Sequence, residues 1–336
     1  MMFDKFKIKI KEKIKNISKN EFEQSFNEIN KDVRRLNKDV KRLNKDVKTL
    51  KKENDSYHRL FKTLFLDYEL TPKGAAKTSF LICQELLNFV DNVCKKHDIE
   101  YWLDYGNLMG AVRHNGFIPW DDDMDVGMMR IDFDKFYQVV QDEFKRTGLD
   151  DIITMTRDKI YGERKVIFFI QISIQDDDGR IYGGLDVFPY DYLIDEFDDF
   201  NEKFEKVRIE YRNNFFDGME YEDNIKYCFD ELHLSNDKQK FIISGFDSLR
   251  SKKSVYNPEV LDSDKIFPLS TVNFNGQNYP CPNDSDYYLT KIYGDYMDFP
   301  KVLRFHERLN SLRNNPDLEK LSKEFYLKLK EVNNNF

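Results

Sequence analysis

The chain has 336 residues, of which 40% are hydrophobic and 15% aromatic, a composition that excludes a wholly disordered protein. Its charges are unevenly spread: residues 1–53 carry 17 Lys and Arg against 9 Asp and Glu, whereas the rest carries 36 against 52. The acidic body argues against nucleic-acid binding, which needs a basic face, and suits a protein that recruits metal cations.

Cysteine spacing and hydropathy indicate the compartment. The four cysteines form no CxxC pair, which is typical of reduced thiols in a cytoplasmic protein. No apolar stretch approaches the roughly 20 residues that a membrane span needs, and the N-terminus lacks the apolar core of a secretory signal. We therefore expect a cytoplasmic protein.

The first predicted element is a basic amphipathic helix over residues 1–20. Residues 5–19 contain seven lysines, and apolar residues recur every three or four positions at Phe3, Phe6, Ile10, Ile14 and Ile17. This pattern predicts a peripheral contact with the anionic inner face of the cytoplasmic membrane. A solvated extension of the following helix explains it equally well.

Residues 21–68 are predicted to form a coiled coil. Three consecutive heptads, NKDVRRL, NKDVKRL and NKDVKTL, occupy residues 30–50. Valine takes position a and leucine position d, which favours a parallel dimer and hence a homo-oligomer. The charges off the seam are mostly Lys and Arg, so charge pairing between helices is weak. The alternative is one long helix folded back on the body.

Residues 72–310 alternate between helical and strand patterns and are predicted to form one catalytic domain of the α/β or α+β class. A break at residues 70–74 marks its start, and a helix over residues 311–336 follows it. Helices are expected at 76–97, after Gly106 and at 132–146, and strands at 99–103, 124–128, 152–156, 165–174 and 181–188. The remainder is expected to be mainly helical, apart from a hairpin turning at Asn275-Gly276.

The segment WDDDMDV carries the strongest chemical pattern. Asp121, Asp123 and Asp125 are spaced by two, so on a strand all three point to one face while Met124 and Val126 point into a core. Carboxylates clustered on a half-buried strand need a counter-charge, and Mg²⁺ or Mn²⁺ prefers such hard oxygen ligands. A solvated acidic loop is the alternative, but it leaves the apolar neighbours unexplained.

A further acid, Asp186, lies in the apolar run Leu185-Asp186-Val187-Phe188. On a neighbouring strand it would stand beside Asp123 and Asp125, and together they could hold two metal ions about 3.5–4 Å apart for in-line phosphoryl transfer. The alternative is a strand-end Asp that caps the turn at Pro189.

A glycine turn precedes the acids. Gly106-Asn107 follows a predicted strand and opens a short helix, whose N-terminal amides could approach a phosphate. Arg113 and His114 end that helix and could reach phosphate oxygens or the leaving group. Taken alone, each of these signals is weak.

Together the residues carry a resemblance. The run from Gly106 to Val126, GNLMGAVRHNGFIPWDDDMDV, resembles the signature of the LicD family, which includes bacterial phosphocholine transferases and relatives of fukutin. LDVFPYD (residues 185–191) resembles the second acidic motif of the family, and residues 267–300 resemble its C-terminal block. The N-terminal helix lies outside the resemblance.

The resemblance implies a nucleotidyltransferase-like mixed sheet with flanking helices. It assigns Asp123, Asp125 and Asp186 as catalytic and metal-binding residues. It also includes the Gly106-Asn107 turn. Taken with the residue chemistry above, we expect phosphate or substrate contacts from Gly106, Asn107, Arg113, His114 and Asp121. Asn107 stands where the wider fold usually has a small hydroxyl residue, which argues against a hydroxyl role there.

The implied reaction is transfer of a phospho-alcohol from CDP-choline, or another CDP-alcohol, to a hydroxyl of a glycan of the lipopolysaccharide, capsule or teichoic acid type. The carboxylates would activate the attacking oxygen through the metal ions and Asp186 would take its proton. A metal-dependent glycosyltransferase using a nucleotide sugar, and a non-enzymatic scaffold built on the coiled coil, remain alternatives.

Overall fold

The computed structural model of the chain describes residues 2–68, 71–161, 164–195, 199–248, 258–300 and 315–336, with the side chains of residues 2–6 and 17 not among the described parts. The predicted helix-face residues Phe3, Phe6 and Ile17 therefore have no described side chains. The chain divides into two units, Met1–Tyr68 and Glu69–Phe336.

The first unit is one continuous helix, α1 (Met2–Leu66), about 100 Å long at 1.5 Å per residue. It runs through both the segment predicted to contact a membrane and the heptad repeats. The valines and leucines of the heptads are all exposed on it. Pairing of this helix in a coiled coil stays a prediction.

The second unit is built around a mixed sheet flanked by helices, which confirms the predicted fold class. Its helices within the described residues are α2 (Gly74–His97), α3 (Tyr105–His114), α4 (Arg130–Thr147), α5 (Phe200–Phe216), α6 (Tyr221–Leu232), α7 (Ser263–Ile266), α8 (Ser285–Tyr293) and α9 (Pro316–Asn334). None of the described helices is both long and apolar enough to cross a membrane.

In the part of the chain that the structure describes, eight strands form the main sheet and two more form a separate hairpin. The main strands are β1 (Trp102–Leu103), β2 (Asp125–Met129), β3 (Ile153–Tyr161), β4 (Arg164–Gln175), β5 (Ile181–Leu193), β6 (Leu234–Ser235), β7 (Phe241–Ser244) and β8 (Leu261–Asp262). The hairpin consists of β9 (Ser270–Phe274) and β10 (Gln277–Cys281). Its turn at Asn275-Gly276 has positive φ at both residues, as the sequence predicts.

Sheet order places β2 next to β5. The path is β1-β2-β5-β4-β3, in which β2 and β5 run parallel and the other neighbours are antiparallel. The parallel pair arises because the chain crosses over through α4, β3 and β4 before it returns as β5. The last part of β5 also pairs with β6 and β7.

The core covers one face of the central strands. Val126 and Met128 of β2 and Val187 of β5 are fully buried in one apolar cluster with residues of α2 and α4. Because side chains alternate along a strand, the residues between them point to the other face. That other face carries Asp125 and Asp186.

The expectation of a mainly helical remainder was wrong for β6, β7 and β8. These strands have only two to four residues, too few to show an alternating pattern. They form because β5 is long enough to offer its last residues as a pairing edge. The predicted strand 99–103 is likewise shorter, since only Trp102 and Leu103 pair with β2.

Candidate active site

Two carboxylates stand side by side on neighbouring strands. Asp125 opens β2, and its register partner in the parallel strand β5 is Asp186. The backbone N–H of Asp186 donates to the carbonyl of Met124 at 2.7 Å, which ties the two strands together at this point. Both side chains are partly buried on the face that the core leaves uncovered.

Asp121 and Asp123 approach the same face from a loop. The strand begins at Asp125, so the expectation of three aspartates on one strand was wrong for these two. Burial still alternates, because Met124 is fully buried whereas Asp123 and Asp125 are partly exposed. The backbone that leads into β2 is therefore already extended enough for side chains two residues apart to lie on the same side.

The surroundings of Asp125 disfavour the charged form of its carboxyl group. Burial raises its pKa well above the usual range, and the charges of Asp123, Asp186, Asp121 and Asp104 raise it further. A carboxylate is more easily protonated when it is desolvated and surrounded by like charges. The named acids therefore act on one another, as the sequence predicts for Asp123, Asp125 and Asp186.

Gln171 of β4 holds Asp186 in place. It is the register partner of Asp186 across the antiparallel pair, and its Nε2 lies 3.0 Å from each carboxylate oxygen. Asp125, Asp186 and Gln171 thus form one row across three strands. The sequence prediction missed Gln171, although a single amide within the apolar run VIFFIQISI gives the same signal as Asp186 in LDV.

Asp104 was also missed, and it anchors α3 beside this row. Its fully buried carboxylate accepts hydrogen bonds from the Tyr105 N–H, from the Tyr190 hydroxyl at 2.9 Å and from the Tyr288 hydroxyl. Burial raises the pKa of Asp104 to about 6, although these three hydrogen bonds lower it. Its own N–H donates to the carbonyl of Asp125. An Asp placed just before a helix is the available signal.

Gly106 lets the start of α3 approach the acids. A Cβ atom at this position would lie 2.6 Å from Oδ2 of Asp121 and 4.0 Å from Oδ2 of Asp125. Any larger residue would displace the Asp121 carboxylate. The positive end of the α3 dipole therefore lies next to Asp121.

Asn107 turns away from the row of carboxylates. Its side chain is buried, and Nδ2 lies 3.2 Å from the sulfur of Met124, which belongs to the core. The backbone N–H of Asn107 donates to the carbonyl of Asp104. These contacts fix the first turn of α3, and a phosphate contact of Asn107 stays a prediction.

Arg113 contacts the C-terminal block, residues 267–300, and also His114. Nη1 of Arg113 donates to the carbonyl oxygens of Tyr296 at 2.6 Å and Asp298 at 3.3 Å, and Nε donates to Nε2 of His114. Burial, and then the charge of Arg113, lower the pKa of His114 to about 4, so the imidazole is neutral at pH 7. Their predicted phosphate contacts are not visible in these interactions and stay predictions.

Aromatic rings border the row of acids. Phe188 is two residues beyond Asp186 on the same face of β5, and its ring centre is 5.3 Å from that of Tyr105 and 4.7 Å from that of Phe169. Phe188 and Tyr105 are partly exposed. We call Tyr105, Phe169 and Phe188 the aromatic row.

The donor set can be compared with what a divalent ion requires. Carboxylate oxygens are the preferred ligands of Mg²⁺ and Mn²⁺, and burial together with the acidic neighbours raises the pKa of Asp125, an environment that a bound cation would make more favourable. Within the described ranges, no group of three or more His, Cys, Asp and Glu side chains is already arranged around a metal position. The residues thus fit the ion in chemical type, and the side chains would have to rotate to enclose it.

Comparison with known proteins supports the motif. Residues 98–221 match a family described as LicD/FKTN/FKRP, nucleotidyltransferase domain. The lipopolysaccharide cholinephosphotransferase LicD of Haemophilus influenzae is 26% identical over 243 residues, which cover 66% of this chain and 90% of that protein. An uncharacterised protein of Rickettsia typhi is 33% identical over 129 residues, or 38% of each chain.

A shorter segment of the chain is similar to a mammalian enzyme. Ribitol 5-phosphate transferase FKRP of Mus musculus is 42% identical over 45 residues, which cover 13% of this chain and 9% of that protein. The matched family domain contains Asp104, Asp125, Gln171 and Asp186. Residues 98–221 are therefore a LicD-family domain, as the sequence motifs predict.

Proposed function

We propose that this LicD-family domain transfers a phospho-alcohol, phosphocholine in the first instance, from a CDP-linked donor to a hydroxyl of a cell-surface glycan and releases CMP. The observation that carries the proposal is the row of Asp125, Asp186 and Gln171 beside the start of α3. The relative named as a lipopolysaccharide cholinephosphotransferase supports phosphocholine transfer and a lipopolysaccharide acceptor. Capsule and teichoic acid glycans offer hydroxyl groups of the same kind and are the other proposed acceptors.

Asp123, Asp125 and Asp186 would hold Mg²⁺ or Mn²⁺. When bound, the ion supplies positive charge to the phosphoryl oxygens of the donor. Asp186 takes the proton of the attacking hydroxyl, and Gln171 orients it by donating to its carboxylate. The hydroxyl oxygen forms a bond to the phosphorus that bears the alcohol, and the bond from that phosphorus to CMP breaks.

The start of α3 would position the donor. Gly106 lets the helix backbone come close to the Asp121 and Asp125 carboxylates, and the positive end of the helix dipole would favour the charge of a diphosphate bound beside them. Asp104 keeps this end of α3 against β2 through its bonds to Tyr105 and to the Asp125 carbonyl. These bonds fix the start of α3 beside the carboxylates, where the donor would bind.

Phosphocholine is favoured over other phospho-alcohols by the aromatic row. A trimethylammonium group is attracted to ring faces and to nearby carboxylates, and both border Asp186 on one face of the sheet. A polyol such as ribitol can donate hydrogen bonds to the carboxylates, but it has no positive charge for the rings to attract. The similarity to ribitol 5-phosphate transferase makes the polyol the natural competitor.

The decisive experiment identifies the nucleotide that is released. The full chain is incubated with Mg²⁺ or Mn²⁺, a glycan acceptor, and either CDP-alcohols or nucleotide sugars. Release of CMP with the phospho-alcohol on the acceptor supports the proposal. Release of a nucleoside diphosphate from a nucleotide sugar would instead make the protein a glycosyltransferase. If the chain transfers nothing but retains full function with Asp125→Ala in a complementation assay, a scaffold role would replace the enzyme.

We further propose that residues 1–20 bring the domain to a membrane-borne acceptor. Ile8, Ile10 and Ile14 are exposed on α1 among the lysines of this segment. Deletion of residues 1–20 is expected to remove binding to vesicles of anionic lipid in a flotation assay, while transfer to a soluble acceptor continues. Unchanged flotation would show that the segment is only an extension of the following helix.

A further inference from the structure

The heptad residues of α1 form a long apolar stripe that the helix cannot cover by itself. Val33, Val40 and Val47 at position a and Leu36, Leu43 and Leu50 at position d are 47% to 62% exposed. The helix continues without a break from residue 2 to residue 66, so the seven-residue period is kept along one face. Apolar side chains at this spacing gain stability when a second helix packs against them.

The stripe extends on both sides of the three repeats. Phe22, Phe26 and Ile29 continue it towards the N-terminus, and Tyr57 continues it towards the C-terminus, all of them exposed. Its full length, from Phe22 to Leu64, is about six heptads, which is more than the three or four that identify a coiled coil in sequence. A partner helix of matching length and period would cover the whole stripe.

A second copy of the same helix meets that requirement, and the choice of side chains selects its orientation. β-Branched residues at a with leucine at d favour two parallel strands. Asn54 interrupts the stripe at position a, where an asparagine specifies register because it pairs with the same residue of the other helix. Both features act only when the two helices run parallel and in register.

The charges flanking the stripe lead to the same orientation. Position g is acidic in four successive heptads, at Asp32, Asp39, Asp46 and Glu53. In an antiparallel pair these residues would face one another and repel. In a parallel pair each faces position e of the next heptad in the other helix, occupied by Asn37, Asn44, Lys51 and His58. Most Lys and Arg side chains lie at b, c and f, on the outer surface.

We propose that the protein is a parallel, in-register homodimer held together by residues 22–64 of α1. The inference is independent of the transferase activity, because it uses only residues of the first unit. Weak pairing, as expected from the basic charges alone, is offset by the length of the apolar stripe and by the acidic column at g.

The first test measures mass. Sedimentation of the full chain at micromolar concentration is expected to give twice the mass of one chain. The double variant Val40→Gln, Leu43→Gln removes two seam residues and is expected to halve the mass. The control Lys38→Gln, Lys45→Gln changes two outer positions to the same residue and is expected to leave the dimer intact. A wild-type monomer, or a seam variant that remains dimeric, would overturn the proposal.

The second test measures orientation by disulfide formation. Ile29→Cys and Tyr57→Cys each place a thiol at position d, near opposite ends of the stripe, and the four natural cysteines are buried. In a parallel, in-register pair each single variant forms a cross-linked dimer by itself upon mild oxidation. In an antiparallel pair position d packs against position a of the other helix, so neither single variant would cross-link by itself, and that result would refute the orientation.

Discussion

The helix α1 and the acidic face of the sheet each expose side chains that are unfavourable where they lie, and they differ in what would relieve them. On α1, valines and leucines are in water, and another apolar surface would cover them. On the sheet, Asp125 is desolvated among other carboxylates, and only positive charge would compensate it. The apolar residues of α1 thus indicate an apolar partner, and the carboxylate of Asp125 indicates a cationic one.

A second comparison lies within the second unit, between the partly buried Asp125 and Glu143 of α4. Glu143 is buried, and it accepts hydrogen bonds from Lys96 at 2.7 Å, His97 at 2.8 Å and Arg146 at 2.6 Å. Burial alone would raise its pKa, yet these partners lower it to about 2. The two carboxylates thus have pKa shifts in opposite directions, because Glu143 accepts hydrogen bonds from basic side chains whereas Asp125 has acidic neighbours.

The largest expected effect comes from removing the charge of Asp125, which lies in the row with Asp186 and Gln171. Asp125→Asn is expected to reduce CMP release by about 10³-fold, because it removes a ligand of the proposed ion. The same change is expected to raise the stability of the metal-free protein by about 1 kcal/mol, because it relieves like-charge repulsion. Thermal melting in EDTA and a nucleotide-release assay measure the two effects.

The control for this variant is Asp150→Asn, which removes an exposed carboxylate and should change neither quantity. If Asp125→Asn instead destabilises the metal-free protein while keeping its activity, the carboxylate has a structural role and the proposed active site is wrong.

The next effect concerns the orientation of Asp186. Gln171→Ala is expected to lower activity by about 10- to 100-fold and to raise the metal concentration needed for half-maximal activity, because such supporting bonds orient ligand carboxylates. Gln175→Ala is a matched control in the same strand, since Gln175 donates to Ser173 rather than to an acid. Equal effects of the two variants would mean that Gln171 contributes only to packing.

Glu143 provides a test of stability against pH. Because its folded pKa of about 2 is below its unfolded value, it contributes stability above about pH 4.5, and this contribution is lost as pH falls towards 2. Glu143→Gln is expected to cost about 1–2 kcal/mol at pH 7 and nearly nothing at pH 2. Urea unfolding at several pH values measures this, and a cost independent of pH would contradict the cause given.

The positions that could be predicted from the sequence are those whose chemistry is local. Asp123 and Asp125 follow from a spacing of two, and the Asn275-Gly276 turn follows from its two residues. Predicting that Asp186 lies beside Asp125 also required the assumption that their two strands are neighbours in the sheet. Gln171 and Asp104 were missed because their partners depend on sheet register and on Tyr190 and Tyr288, which are distant in the chain.

The same reason explains the short strands. β6, β7 and β8 have too few residues to carry a pattern, and they exist because a longer strand, β5, presents an edge to them. Local sequence therefore predicts the long elements and the acidic motif, and tertiary pairing determines the rest.

The smallest expected effect distinguishes the transferred alcohol. Phe188→Leu keeps an apolar side chain but removes the ring that contacts Tyr105 and Phe169. The loss of a cation–π contact is expected to raise the KM for CDP-choline by about 3- to 10-fold. The KM for CDP-ribitol should not change, because a polyol has no charge for the ring to attract. Steady-state kinetics with both donors, at saturating metal and acceptor, measures the difference.

A similar rise for both donors would mean that Phe188 supports the site without selecting choline. In that outcome Asp125, Asp186 and Gln171 would remain the proposed catalytic site, and only the identity of the alcohol would have to be revised.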